Sequence, residues 1–107
     1  MSVKMVYMTV GSRDEARSIG RSLIESRLAA CVNIIDGMHS IYWWEGALEE
    51  AVEVVMIAKT TDIRLPALVR HVKEKHSYEC PCIVSLPVEN GYQPFLNWIA
   101  TEVDGSM

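Results

Sequence analysis

Apolar positions recur along this chain with two periods, and the changes of period divide it into elements. Val3 to Val10 is apolar and rich in β-forming residues, long enough for a buried strand that Gly11 ends. The spacing then becomes helical: Ala16, Ile19, Gly20, Leu23, Ile24 and Leu28 share one face, and Arg13, Arg17, Arg21 and Glu25 take the other. Ser12 and Glu15 precede that stripe as a capping box, each side chain satisfying a free amide of the first turn. Ala30 to Trp44 and Val52 to Lys59 read as extended, with a turn near Glu45-Gly46. Thr61-Asp62 opens a second helix, with Pro66 in its first turn and a stripe of Leu65, Leu68, Val69 and Val72. Ser77-Tyr78-Glu79 breaks it, and Pro81 precedes a short strand, Ile83-Val84-Ser85-Leu86. Gly91 and Pro94 frame a last helix carrying Phe95, Leu96, Trp98 and Ile99. The order β-α-β-β-α-β plus a terminal helix is the split βαβ, or ferredoxin-like, α+β arrangement, an antiparallel sheet with both helices on one face.

The hairpin is too long for the body that this pattern predicts. A compact chain of this length has a radius of gyration near 13 Å and is roughly 34 Å across. Strands of about 13 residues at about 3.3 Å each run roughly 43 Å, so the hairpin overhangs unless it bends at Gly37. Tyr42 and Trp44 point to one side of the strand and Trp43 to the other, which makes both faces of the tip aromatic. Each such side chain buries roughly 150–250 Å² when covered. A monomer rarely exposes so large an apolar patch, and the expected cover is another copy of the chain rather than its own helices.

Composition narrows the classes. A chain of 107 residues makes one domain, residues 1–107, because two would each be too small to bury a core. Half the residues are apolar, which rules out a disordered chain. No apolar run approaches the roughly 20 residues of a membrane span, and Met1-Ser2-Val3-Lys4 lacks the regions of a signal peptide. Three cysteines cannot close a disulfide framework, so a reducing, cytoplasmic setting is expected. A net charge of −4 without a basic cluster argues against nucleic acid.

Several segments in order resemble one family. They are Ala29-Ala30-Cys31-Val32-Asn33-Ile34, Ser40-Ile41-Tyr42-Trp43-Trp44-Glu45-Gly46, Glu53 to Thr61, His76-Ser77-Tyr78-Glu79-Cys80-Pro81 and Leu96-Asn97-Trp98-Ile99. Together, from about Val3 to Val103, the chain resembles the CutA divalent-cation tolerance proteins. The resemblance implies a ferredoxin-like protomer in a tight homotrimer, similar in architecture to the PII signalling proteins, with the long hairpin reaching neighbouring subunits. It also implies a response to metal ions and binding of copper or another divalent ion, with no organic cofactor. The family's implied copper ligands are a cysteine late in the first strand and adjacent histidines at the end of the second helix. Here Met8 stands near the first position and Lys75 precedes His76, so only His76 carries over. The family usually has Glu where Cys82 stands.

The local chemistry points to a few candidates. Cys80 and Cys82 are two apart around Pro81, so on an extended segment they share a face, with Cα atoms roughly 6.5 Å apart. Two thiolates so placed suit a soft ion, while cysteine is also a common small core residue. His76, four residues after Val72, leans toward the apolar stripe, where a neutral imidazole binds a metal or hydrogen-bonds a carbonyl. His39 and His71 are expected to be solvated or structural, and Cys31 a buried structural thiol. Glu53 and Lys59 lie six residues apart on one strand face and are expected to line an intersubunit cleft with Tyr78 and His76. Tyr42, Trp43 and Trp44 are the expected trimer interface.

No nucleophile elbow or Walker loop occurs, so an enzyme is not expected. The leading function is a trimeric metal-responsive binding protein. The alternative is a small-molecule effector protein, or an uncharacterised enzyme, using the intersubunit cleft. An RNA-recognition module shares the element order, but Val52 to Lys59 has no aromatic for base stacking.

Overall fold

A computed structural model describes residues 2–104; residues 1 and 105–107 of the expected domain lie outside the described residues. The elements are β1 (Val3–Val10), α1 (Arg13–Glu25), β2 (Cys31–Trp44), β3 (Ala47–Thr61), α2 (Leu65–Lys75), β4 (Ile83–Pro87) and α3 (Gln93–Glu102). Four strands form one antiparallel sheet in the order β2-β3-β1-β4, the ferredoxin-like arrangement that the pattern predicts.

Strand alternation decides which residues meet the helices. Val6, Met8, Val10, Val54, Met56 and Ala58 point to one face and pack against Ala16, Ile19 and Leu23 of α1 and Leu68 and Val72 of α2. The opposite face of the sheet carries Tyr7, Thr9, Val55 and Ile57, and α3 approaches it where Lys59 stands over the Phe95 ring. Arg27 closes α1: its φ of 58° and the bond from Leu28 N–H to Leu23 O form a Schellman cap with arginine where glycine is usual. Arg27 also bonds the Glu102 carboxylate and carbonyl, tying this cap to the end of α3.

Three local features differ from the sequence reading. The capping box is half formed: Ser12 Oγ accepts from Glu15 N–H, but the Glu15 carboxylate turns away to the Ser77 amide and hydroxyl. Helix α2 begins at Leu65 rather than at Thr61-Asp62, because Thr61 is still paired with Val3 and Asp62 bonds Ser2 through both its amide and its carboxylate. Strand β3 begins at Ala47 rather than Val52. Its first four residues, Ala47-Leu48-Glu49-Glu50, are all exposed and so carry no core-facing period to be read.

The hairpin turns through Glu45 and Gly46, with φ of 50° and 82°, the two-residue mirror-image turn whose twist matches paired strands. Between Ile35↔Val55 and Met38↔Glu53 strand β2 spends three residues against two of β3, a bulge centred on Gly37 at φ 79°. The extra residue reverses the parity of β2. Before it, Asn33 and Ile35 share the open face; after it, Met38, Ser40, Tyr42 and Trp44 do. The molecule measures 45 × 25 × 22 Å, with a radius of gyration of 14.4 Å, so the hairpin does overhang. At its tip Ile41, Trp43, Leu48 and Val52 are all more than 60% exposed on the side away from Tyr42 and Trp44.

Candidate functional site

The parity change brings the second half of β2 to the open face beside the segment that joins α2 to β4. Between them lies a cavity of about 620 Å³. Tyr7 and Thr9 of β1, Glu53 of β3, Met38, Ser40, Ile41, Tyr42 and Trp44 of β2, and Tyr78, Glu79, Cys80 and Cys82 line it.

One hydrogen-bonded series positions the polar groups. The His76 side chain is fully buried, and its Nε2–H donates to the Thr9 carbonyl at 2.8 Å. Its Nδ1 accepts from the Tyr78 amide at 3.0 Å, which fixes the neutral tautomer with both nitrogens engaged. The Glu15 carboxylate 3.7 Å from Nδ1 is therefore a neighbour and not an ion pair. Held in this way, with its ring tilted 4.6 Å from that of His76, Tyr78 donates its hydroxyl to Glu53 Oε2 at 2.7 Å. Glu53 is 7% exposed, so this bond compensates a carboxylate that water scarcely reaches. Burial pushes the Tyr78 phenol well above the usual tyrosine range, and the Glu53 carboxylate adds to the effect. Burial likewise raises the Cys82 thiol, helped by the Glu53 charge and opposed by a hydrogen bond with Thr9. All three cysteines are free thiols, with Cys80 exposed at the rim.

The structure thus gathers Glu53, Tyr78, Cys80, Cys82, Tyr42 and Trp44 at one cavity and leaves others out. His76 supports the cavity from behind and has no free lone pair for a metal. Lys59 is six residues along β3, about 20 Å from Glu53, where it bonds Asn33 Oδ1 at 2.7 Å; a single chain does not bring it to Tyr78. Trp43 is on the opposite hairpin face, 74% exposed. His39 is exposed, and His71 Nε2 is 2.6 Å from Ser22 Oγ. Tyr7, Thr9, Met38 and Ser40 were not singled out from sequence. The alternation of β1 places Tyr7 and Thr9 on one face, but the parity of Met38 and Ser40 depends on the bulge. Among the described residues, no three His, Cys, Asp or Glu side chains are grouped so as to hold a metal ion. No helix of the described residues is long and apolar enough to cross a membrane.

Fold and site together define a ferredoxin-like protein with an overlong aromatic hairpin and, at its base, a largely apolar cavity into which a few polar groups converge. The family model for the CutA1 divalent ion tolerance protein matches residues 4–102, and the chain belongs to that family. The divalent-cation tolerance protein CutA of Archaeoglobus fulgidus is 43% identical over 99 residues, covering 92% of this chain and 96% of that one. Its solved structure, described as periplasmic, superposes with a TM-score of 0.92 over 95% of this chain and 99% of that chain. The Thermus thermophilus protein is 44% identical over 90% of this chain and 93% of its own length. Its structure gives a TM-score of 0.91, covering 94% of this chain and 97% of that one. The rice protein, CutA 1, chloroplastic, is 40% identical over 89% of this chain, which spans only 54% of it. The Archaeoglobus fulgidus and Thermus thermophilus relatives are named for divalent-cation tolerance.

Proposed function

We propose that the protein serves divalent-cation tolerance as a cytoplasmic homotrimer, binding copper or a related ion at the open-face cavity. The hairpin carries the reading. Its tip extends beyond the body with Ile41, Trp43, Leu48 and Val52 uncovered on one side and Tyr42 and Trp44 about 40% exposed on the other. Two apolar faces at one projecting tip are costly in water, and neighbouring copies of the same chain are the cover that the family's architecture supports. The cavity donors that fit an ion are the thiols of Cys80 and Cys82, since His76 is fully engaged. The free thiols support a reducing compartment.

Light scattering at micromolar concentration is expected to give three times the 12.0 kDa chain mass. Trp43→Glu, which puts a charge at the tip without touching the core, is expected to lower that mass. A monomeric wild type refutes the assembly. Calorimetric titration with Cu(II), Cu(I) and Zn(II) tests the second half, and absence of saturable binding tighter than millimolar removes direct ion binding.

A second reading has its own support in the cavity's size. At about 620 Å³ it falls within the roughly 300–1,000 Å³ of small-molecule sites, and tyrosine and tryptophan supply stacking surface. A small-molecule effector at 100 times its dissociation constant stabilises by about 2.7 kcal/mol. A thermal-shift screen of metabolites without any such response counts against this reading.

A further inference from the structure

The open-face cavity holds a carboxylate and no cation. Its lining contains Glu53 and, at the rim, Glu79, but no lysine, arginine or histidine. Glu53 is 7% exposed, and among the described residues its one hydrogen bond is that from Tyr78 to Oε2. No buried side-chain oxygen or nitrogen of the described residues lacks a partner, so the unbonded Oε1 opens into the cavity. We propose that the cavity binds a small organic primary amine in its ammonium form, with Glu53 as the counter-charge. This rests on the small-molecule reading of the cavity and gives the chemical class of its ligand.

The tyrosines beside Glu53 have spent their protons. The Tyr78 hydroxyl donates to Glu53 Oε2 at 2.7 Å. Met38 is the cross-strand partner of Glu53, and the Tyr7 hydroxyl donates to its Sδ at 3.2 Å. Each phenol oxygen therefore keeps only lone pairs to offer a ligand. The topology lets both rings reach this point. Strands β3 and β1 are neighbours at the centre of the sheet, and Tyr7 extends from β1 across β3 to Met38 on β2. From the other end Tyr78 lies against Gly11, just past β1, where a Cβ would stand 3.4 Å from the hydroxyl.

An ammonium group supplies what this corner of the cavity lacks. It brings three N–H donors and a positive charge, so one N–H pairs with Glu53 Oε1 and the others face phenol oxygens. Cations also favour the faces of aromatic rings. Tyr42 and Trp44 continue the lining along β2 and give an apolar ligand body a surface to lie on. An anionic ligand would be buried beside Glu53 without a basic partner, which is costly. A neutral ligand that only accepts hydrogen bonds finds both phenol protons already committed. A metal ion is the other candidate cation, but no three His, Cys, Asp or Glu side chains of the described residues are grouped to hold one.

The test is calorimetric titration of the full chain at neutral pH with butylamine and phenethylamine. Their neutral counterparts butanol and phenethyl alcohol, and the carboxylates butyrate and hydrocinnamate, are titrated beside them. The proteins are wild type, Glu53→Gln, Lys59→Gln and Glu74→Gln, each verified as folded and assembled by circular dichroism and light scattering. Glu53→Gln keeps an oxygen for the Tyr78 hydroxyl and removes the charge, and Glu74→Gln makes the same change at an exposed position on α2. Wild type and Glu74→Gln are expected to bind an amine saturably, with alcohols and carboxylates at least about tenfold weaker. Glu53→Gln is expected to lose about 10–100-fold, the scale of a hydrogen bond to a charged group. Unchanged affinity in Glu53→Gln, or an alcohol or carboxylate bound as tightly as its amine, overturns the proposal and leaves the small-molecule reading standing. Amine binding that emerges only in Lys59→Gln also overturns it, because the lysine of a neighbouring copy then already fills the site. If neither amine binds while another metabolite stabilises the wild type in the thermal-shift screen, the amine class falls and the small-molecule reading stands; if nothing binds, both fall.

Discussion

Tyr78→Phe isolates the bond on which the cavity's polar side depends. The substitution keeps the ring against His76 and removes only the hydroxyl, 2.7 Å from Glu53 Oε2. Hydrogen bonds to charged groups contribute about 1.5–3 kcal/mol. Because Glu53 is only 7% exposed, little water reaches the stranded carboxylate, and about 1.5 kcal/mol is the least loss expected. For a domain of this size 1 kcal/mol moves the melting temperature by about 4–8 °C, so Tyr78→Phe should melt at least about 6–12 °C lower. Calorimetry at one fixed protein concentration measures this, since assembly makes melting concentration-dependent. A double-mutant cycle with Glu53→Gln assigns the loss to the pair. If the bond is responsible, the two changes are coupled; additivity within about 0.3–0.5 kcal/mol is the behaviour of independent sites. Additive effects, or an unchanged melting temperature for Tyr78→Phe, refute the argument that this bond compensates the buried carboxylate.

Three further outcomes are expected. Because folding holds the proton on Tyr78 above the roughly pH 10 at which a free phenol loses it, the bond's contribution is complete below about that pH. It is lost as pH rises through the higher folded value. Ultraviolet titration should therefore show one of the four tyrosines ionising late, and Tyr78→Phe should abolish that late phase. Gly46→Ala forces a side chain into φ 82° with nothing within 4 Å to clash, so its loss of about 1–2 kcal/mol is backbone strain alone. Urea denaturation should show that loss, with a smaller one for Gly46→Asn. His76→Ala strands the Thr9 carbonyl and the Tyr78 amide, each at about 1–3 kcal/mol. A large fall in urea midpoint with unchanged copper affinity of the folded protein identifies His76 as structural, and a lost copper affinity overturns that assignment.

Much of the fold is legible in the chain because local periods report it directly. The stripe on α1, the apolar run of β1 and the Glu45-Gly46 turn each depend on residues within one or two turns of one another. The aromatic excess at Tyr42-Trp43-Trp44 likewise announces a surface in need of cover, and the CutA resemblance follows from segments spread over the whole length. What the sequence by itself does not determine is which side chains of the hairpin meet the rest of the molecule. One extra residue at Gly37 reverses strand parity, so Met38 and Ser40 reach the cavity only because tertiary pairing absorbs the bulge there. Glu15 fails as a local reading because the folded chain offers its carboxylate a better-placed partner in the distant Ser77. Of the two roles open to His76, the carbonyl bond is the one the fold supplies, from Thr9 on a distant strand. Lys59 shares a strand face with Glu53 as alternation requires, but six residues of extended chain separate them. Periodicity fixes the face on which a residue lies, and only the packed structure fixes what it touches there.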